Sequence, residues 1–244
     1  SDSAGNSNQD GSDPNNSLTL SVDTARPTIA ITNDDADNSL SAGDTSTLTF
    51  TLSEPSTNFT ESDIFISGGS LSNWTTVSPT SYTATLTPTA NSTNNAVISI
   101  ASSKFSDSAG NSNADGLDPD NSLTLSIDTL PPSISLSSDL ASLAAGETAT
   151  LSFSLSEPST DFTASDISIS GGSLSAFSGS GSSYTATFTP NPDSIAPGLI
   201  SVASSKFTDP SGNFNTDGTD PDNALTLTID TTTADTTPPT ISLS

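Results

Sequence analysis

The residues of this 244-residue chain with the clearest chemistry are carboxylates and amides in a repeated loop. One copy reads SDSAGNSNADGLDPDNS from Ser106. In it, Asn111, Asn113 and Asp115 alternate before Gly116, which is the spacing of oxygen ligands and of the glycine turn in calcium-binding loops. Oxygen donors without nitrogen or sulfur ligands favour calcium over transition metals. The pattern therefore predicts a calcium loop.

The candidate ligands recur at matching positions in two loops. In the loop from Ser106 they are Asp107, Asn111, Asn113, Asp115, Asp118 and Asp120. In the loop from Thr208 they are Asp209, Asn213, Asn215, Asp217, Asp220 and Asp222. The loop is not an EF-hand, because no flanking helices are expected and Ser122 replaces the bidentate glutamate. The alternative is a set of solvated turn residues, because turns use Asn, Asp and Gly in any case.

Composition excludes several classes of function. Acidic side chains outnumber basic ones by 28 to 3, for a formal charge of −25. Arg26, Lys104 and Lys206 cannot form a cationic patch, which argues against nucleic acid and membrane surfaces as partners. The chain has no Cys and no His, which excludes disulfides, thiol chemistry and His-based triads. Such a negative chain repels itself unless counter-ions bind the folded form.

A repeat of roughly 100 residues organises the chain and indicates the fold. The loop from Ser106 matches the segments from Ser1 and Thr208, and LTFTLSEPS at Leu48 matches LSFSLSEPS at Leu151. This period is too long for a solenoid unit and suits a self-contained sandwich. The sequence predicts an all-β fold of tandem immunoglobulin-like β-sandwich modules.

Apolar residues alternate with Ser and Thr throughout the repeat, which predicts strands with one buried and one solvated face. The candidate inward-facing residues of the first complete copy, strands A, B, C, E, F and G in order, are Ile29 and Ile31, Leu48 to Leu52, Ile64 and Ile66, Tyr82 to Leu86, Ile98 and Ile100, and Leu123 to Ile127. Most aromatic residues are interpreted as core. Phe59, Phe65 and Phe162 are the only candidates for a solvent-facing sugar platform.

Proline-containing joints divide the chain into four segments. Residues 1–24 are expected to supply the last loop and strand G of an upstream module, and residues 232–244 a linker and strand A of a downstream one. The complete modules are predicted at 25–129 and 130–231. Proline fixes φ, so the short joints are expected to be stiff.

The topology of a seven-strand sandwich places the acidic loops together. The B–C and F–G loops share the end at which the chain enters the module. Asp128 in the linker should therefore meet Glu157 and Asp166 beside the second F–G loop. In the same way, Asp23 should meet Glu54, Asp63 and the first F–G loop, and Asp34, Asp35 and Asp37 of module 1 should face the inner joint from the other side. Crowded carboxylates are costly unless a cation neutralises them.

One covalent alternative concerns Lys104 and Lys206, which occupy the same register in SSKF. A buried lysine could form an isopeptide crosslink with Asp or Asn. The simpler interpretation is an exposed lysine near carboxylates, because lysine is rarely buried.

As a set, the strings D-T-x-x-P, AGDT/AGET, LTFTLSEPS, SDI-x-ISGGSLS, SYTAT and SSKF-x-D-x-x-GN resemble the bacterial Ig-like repeats of giant RTX-type and biofilm adhesins. The resemblance covers both complete modules and the two partial ones. It implies extracellular extender arrays on the bacterial surface, stiffened by calcium, that hold an adhesive tip away from the cell. The linker and loop acids would then be calcium ligands.

The leading functional hypothesis is a spacer whose partners are neighbouring modules of the same chain or fibre. A second hypothesis is a fibre or surface-layer subunit assembled by strand donation between chains. A third is glycan or ligand binding by the loops. An enzyme is the least expected reading, because a duplicated acidic loop at every joint makes a poor active cleft even though carboxylate pairs can hydrolyse glycosides.

Overall fold

The computed structural model describes residues 1–7, 17–114, 118–216, 220–233 and 241, in which the chain forms two β-sandwiches. Module 1 contains β1 (Ile29–Asn33), β2 (Ser39–Ser41), β3 (Ser46–Leu52), β4 (Ile64–Ser67), β5 (Gly69–Ser78), β6 (Ser81–Pro88), β7 (Ala96–Ile100) and β8 (Ser122–Asp128). Module 2 contains β9 (Ile134–Ser138), β10 (Ser142–Ala144), β11 (Ala149–Ser159), β12 (Ile167–Ser170), β13 (Gly172–Pro190), β14 (Gly198–Val202) and β15 (Ala224–Asp230). Short 3₁₀ helices lie at Glu61–Asp63, Pro119–Asn121, Ala164–Asp166 and Pro221–Asn223.

Each module packs two sheets around one core. In module 1 the sheets have the orders β1-β3-β6-β5 and β2-β8-β7-β4. In module 2 they have the orders β9-β11-β13 and β10-β15-β14-β12, and β13 covers the stretch that forms β5 and β6 in module 1. Neighbouring strands are antiparallel except β2 with β8 and β10 with β15, which run parallel. The prediction of an all-β fold built from tandem sandwiches is confirmed.

The alternating pattern positions the core as predicted. Along β3, Leu48, Phe50 and Leu52 are buried, whereas the intervening Thr47 and Thr51 are exposed. Fully burying an aliphatic or aromatic side chain of this size contributes about 1.5–3 kcal/mol. The buried residues form two separate clusters, one in each module, so each module has a core of its own.

Two short strands are absent from the sequence-based prediction. β1 corresponds to the predicted strand A, whereas β2 lies in the predicted A–B loop and belongs to the opposite sheet. β9 and β10 are arranged in the same way in module 2. Leu40 of β2 and Leu143 of β10 point into the cores, with exposed fractions of 3% and 2%. Alternation cannot reveal a three-residue strand with a single inward apolar side chain.

Two of the three candidate residues for a sugar-binding platform belong to the core. Phe59 and Phe162 are buried, and Phe59 lies 5.1 Å from both Tyr82 and Phe105, measured between ring centroids. These edge-on contacts stabilise the core. Only Phe65 of the three is exposed.

The N-terminal copy of strand G does not form a strand. Residues 17–23 have no regular structure and Leu18 is exposed. Leu20 and Val22 are also exposed, although their counterparts Leu125 and Ile127 are buried. An edge strand needs a neighbouring strand for its backbone and a core for its apolar face.

No helix in the described residues is long and apolar enough to cross a membrane.

Candidate metal centre

The loop between β7 and β8 folds around a single aspartate. Asp107 Oδ1 accepts hydrogen bonds from the backbone N–H groups of Ala109 and Asn111 at 2.9 and 2.8 Å, and Asn111 Nδ2 donates to Asp107 Oδ2 at 2.9 Å. Gly110 makes the turn possible with φ of 95°, which is strained for other residues. This D-x-x-G-N turn is therefore built by local sequence, and it holds the Asp107 carboxylate in place.

The same turn occurs twice more. In the loop between β14 and β15, Asp209 accepts from the N–H groups of Ser211 and Asn213, both at 2.9 Å. Near the N-terminus, Asp2 accepts from the N–H of Asn6 at 3.0 Å, although no sandwich surrounds it. The turn does not need the sandwich in order to form.

In each sandwich, folding brings two further carboxylates close to the loop aspartate, Asp107 or Asp209. Asp23, Glu54 and Asp107 form the outer triad, in which one carboxylate oxygen from each residue lies within 4.8 Å of the others. The inner triad, of Asp128, Glu157 and Asp209, meets the same limit. In each triad one aspartate comes from the linker and one from the repeated loop. The third member is a glutamate: Glu54 follows β3, and Glu157 lies in β11.

The electrostatics of the triads show that their negative charge is unfavourable. Desolvation raises the pKa of Glu157 above its ordinary value, and the charges of Asp128 and Asp209 raise it further. Desolvation, then Asp23 and Asp107, raise the pKa of Glu54 in the same way.

The aspartate beside Glu54 behaves differently. Burial acts to raise the pKa of Asp107, but hydrogen bonds from Asn111, Ala109 and Gly110 together bring it below its ordinary value. Asp107 is thus held as a carboxylate, and the repulsion between the acids raises the pKa of Glu54 instead.

The donor set fits a hard divalent cation. Three carboxylate oxygens within 4.8 Å of one another supply oxygen ligands and concentrated negative charge, and neither triad contains a nitrogen or sulfur donor. Calcium takes six to eight oxygen ligands at about 2.3–2.6 Å, from carboxylates, carbonyls and water. The residues present could therefore hold calcium.

Ser211, which was not among the predicted site residues, forms a hydrogen bond to the inner triad across the joint. Ser211 Oγ donates a hydrogen bond of 2.7 Å to Asp128 Oδ2, and Asn213 Nδ2 donates one of 3.0 Å to the backbone carbonyl of Asp128. Ser211 stands where the preceding loop has Ala109, so the repeat pattern carries no signal for it.

Several other predicted ligands lie outside the triads. Asp63 Oδ2 accepts from the N–H and hydroxyl of Thr60, and Asp166 accepts likewise from Thr163, so each acid caps a 3₁₀ helix. Four exposed acids lie at the 3₁₀ helices Pro119–Asn121 and Pro221–Asn223 and belong to neither triad: Asp118, Asp120, Asp220 and Asp222. The predicted ligands Asp115 and Asp217 lie outside the described residues.

The predicted ligands Asn113 and Asn215 are fully buried and hold the loops onto the sandwich. Asn113 Oδ1 accepts from the N–H groups of Lys104 and Phe105 at 2.7 and 3.2 Å, and its Nδ2 donates to the carbonyl of Ala101 at 3.0 Å. Asn215 makes the matching three contacts in module 2. Their amides are bonded to backbone groups, which gives these residues a structural role.

The acids between β1 and β2 also accept hydrogen bonds from backbone groups of module 1. Asp34 accepts from Thr47 N–H at 2.7 Å, and Asp35 and Asp37 accept from Ser39 N–H at 2.8 and 3.2 Å. None of these three acids belongs to the inner triad.

The lysines proposed as crosslink partners are both exposed. Neither Lys104 nor Lys206 lies in a core, whereas the isopeptide alternative requires a buried lysine. The simpler interpretation of these side chains is the one the structure favours.

A comparison with protein families identifies the modules. The bacterial Ig-like domain matches residues 23–127 and 128–227, nearly the whole chain. This chain belongs to the bacterial Ig-like domain family. No curated protein matches the chain.

Solved structures similar to these bacterial Ig-like modules include several adhesins. FdeC, an Escherichia coli adhesin, is 17% identical over 84% of this chain and 64% of its own, with a TM-score of 0.43. Invasin, a bacterial integrin-binding protein, is 19% identical over 72% of this chain and 36% of its own, with a TM-score of 0.37. The Yersinia pseudotuberculosis adhesin InvE is 19% identical over 84% and 58%, with a TM-score of 0.32. The chain thus spans less than two thirds of each of these structures.

Proposed function

We propose that this chain is a spacer segment of a bacterial cell-surface adhesin, and that calcium bound by each triad stiffens the joints between modules. The composition of the inner triad carries the proposal. Asp128 ends the last strand of module 1, whereas Glu157 and Asp209 belong to module 2. A cation held by all three carboxylates would supply the positive charge that this crowding lacks and would tie the two modules together.

The chain's own residues prepare the joint. Asn213 and the turn around Asp209 hold that carboxylate in place by hydrogen bonds, and Ser211 donates a hydrogen bond to Asp128. Pro131 and Pro132 restrict the linker that follows. These contacts connect protein groups to one another and would hold the carboxylates in place for a cation, which lowers the cost of binding.

The range of calcium affinities known for such modules supports an extracellular location. Extracellular calcium modules bind with dissociation constants of about 10⁻⁴–10⁻³ M, which outer calcium satisfies and cytosolic calcium does not. A duplicated acidic joint offers no reaction centre, so the proposed function is mechanical and not catalytic.

Thermal unfolding of the full chain in EDTA and in calcium tests the proposal. Calcium at about a hundred times its dissociation constant stabilises the folded state by about 2.7 kcal/mol per site. We expect the melting temperature to rise on the order of 10 °C. Small-angle scattering should show a longer, stiffer particle in calcium. An unchanged melting temperature would refute calcium binding.

Matched variants locate the effect. Glu157→Gln removes one carboxylate from the inner triad and should abolish the calcium-dependent lengthening. Glu54→Gln alters the outer triad and should reduce the thermal shift without changing the joint between the two modules. Glu61→Gln makes the same change at an exposed carboxylate outside both triads and should behave like the parent chain. Equal effects of Glu61→Gln and Glu157→Gln would contradict the assignment.

A second candidate is a fibre subunit that donates strands between chains. The exposure of Leu18, Leu20 and Val22, in a segment that repeats the sequence of β8, favours it. In both complete modules, however, the corresponding position is already filled by β8 or β15. Light scattering after size exclusion in calcium distinguishes the two: a monomer supports the spacer, and concentration-dependent oligomers support strand donation.

Loop-mediated glycan binding is the weakest of the three functions. With Phe59 and Phe162 buried, Phe65 is the one exposed ring among the three candidates, and the exposed Phe214 lies in the other module. A stacking surface for sugars needs several aromatic rings that face solvent together.

A further inference from the structure

A hydrogen bond that involves no carboxylate also crosses the inner joint. The backbone N–H of Ala42, in the turn after β2 of module 1, donates to Asn213 Oδ1 of module 2 at 2.8 Å. The other end of the same amide donates to the carbonyl of Asp128 at 3.0 Å and to Asp209 Oδ2 at 2.8 Å. Asn213 thus bonds to the preceding module, the linker and its own loop.

The donor is presented by a defined turn. Asp44 N–H donates to the Ser41 carbonyl at 3.1 Å, and Gly43 has φ of 91°. A positive φ confined to the third of four residues marks a type II turn, with Ala42 at its second position. The N–H at that position takes no part in the bond that closes the turn, so it is available to a partner.

Module 2 carries a copy of this turn. Glu147 N–H donates to the Ala144 carbonyl at 3.2 Å, Gly146 has φ of 83°, and Ala145 occupies the position of Ala42. The side chain of Glu147 accepts from Ala144 N–H as Asp44 does from Ser41. Within the described residues, no acceptor lies within hydrogen-bond reach of Ala145 N–H.

The counterpart of Asn213 in module 1 is Asn111. Asn111 Nδ2 donates to the carbonyl of Asp23 and to Asp107 Oδ2, as Asn213 does in module 2. In the part of the chain that the structure describes, Asn111 Oδ1 has no donor. Asn111 is partly exposed, whereas Asn213 is only 3% exposed beneath module 1.

We propose that the turn after the short strand β2, and its copy after β10, is a docking site for the asparagine of the D-x-x-G-N loop of the following module. The partner of the free turn at Ala145 is therefore another module of this kind, stacked head to tail. Such a contact is heterologous, which lets it repeat along a chain. The proposal refines the spacer function and rests on it, but the contact is between neutral groups and does not require calcium.

Two proline substitutions test the contact in the full chain. Proline suits the second position of a type II turn and lacks the N–H, so Ala42→Pro removes the donor while keeping the turn. Ala145→Pro is the matched control, because it makes the same change where no module is docked. Residual dipolar couplings, recorded in EDTA, report whether the two modules share one alignment.

We expect Ala42→Pro to reduce the agreement between the alignment tensors of the two modules, and Ala145→Pro to leave it as in the parent. An unchanged alignment in Ala42→Pro, or equal effects of both variants, would overturn the proposal. Because calcium is absent, a failure of calcium binding leaves this result unaffected, and the two proposals can fail separately.

A longer chain tests the free turn. When a second copy of residues 130–231 is joined directly after Thr231, its Asn213 should meet Ala145 as the present Asn213 meets Ala42. We expect hydrogen exchange of the Ala145 amide to slow about fivefold, the factor that one net hydrogen bond of about 1 kcal/mol provides. Exchange as fast as in the 244-residue chain would refute docking at this turn.

Discussion

The outer and inner triads use the same residue types at the same positions, yet their surroundings differ. Asp23 of the outer triad is exposed and Asp128 of the inner triad is half-buried, although Asp107 and Asp209 are both buried. The difference follows from module 1, which lies over the inner triad, and from Ser211, which bonds to Asp128. Each module therefore brings together the loop aspartate and its glutamate by itself. The other features of the inner triad depend on the preceding module.

The largest effect should come from a contact that is equal in the two modules. Asn113→Ala and Asn215→Ala each remove a fully buried amide and leave backbone N–H and carbonyl groups without partners. Each unsatisfied buried group costs about 1–3 kcal/mol, so each variant should lose on the order of 3 kcal/mol of unfolding free energy. Chemical denaturation followed at module-specific probes measures both losses. A large inequality between the modules would show that the loops are not equivalent.

A smaller effect should distinguish the two joints. Asn213→Ala removes contacts to module 1, the linker and the loop, whereas Asn111→Ala removes only the latter two. We expect Asn213→Ala to cost about 1 kcal/mol more, the net worth of one hydrogen bond. Denaturant titration of the two variants measures the difference. Equal losses would mean that the bond to Ala42 adds no stability.

The smallest effect concerns pH and separates the modules at a single position. Burial acts to raise the pKa of Asp161, but hydrogen bonds from Thr208 and Ser159 bring it below its ordinary value. An acid with a lowered folded-state pKa stabilises the fold above its unfolded pKa and loses this contribution as the pH falls through the folded one. Module 1 has Asn58 at this position, which does not titrate.

Between neutral pH and about pH 3, module 2 of the parent chain should therefore lose slightly more stability than module 2 of Asp161→Asn, which retains acceptance from Thr208. NMR signals from module 2, followed in denaturant at several pH values, measure this difference. Equal losses in the two chains would assign the effect to another group.

Sequence patterns predicted the sandwiches because burial of one face imposes alternation over long strands such as β3 and β11. They did not reveal β2 and β10, in which tertiary contact with β8 and β15 stabilises three residues. All three members of each triad were among the predicted ligands, since strand order alone places the linker, the B–C loop and the F–G loop at one end. Calcium binding by the triads stays a prediction.

The direction of individual side chains was beyond the sequence. Asp63 and Asp166 lie in the predicted loops, but local hydrogen bonds to Thr60 and Thr163 draw them into helix caps. Asn113 and Asn215 follow the ligand spacing, yet packing turns them toward backbone groups of the sandwich. Competition among nearby donors decides such outcomes, and spacing does not record it.

The sequence by itself determined the repeat, the strand faces and the D-x-x-G-N turn, which forms even at Asp2 because its hydrogen bonds connect residues at most four apart. Only the tertiary structure decided which carboxylates meet and that Ala42 lies against Asn213. These contacts join residues far apart in the chain, so they exist only when folding brings the loop, the linker and the preceding module to one place.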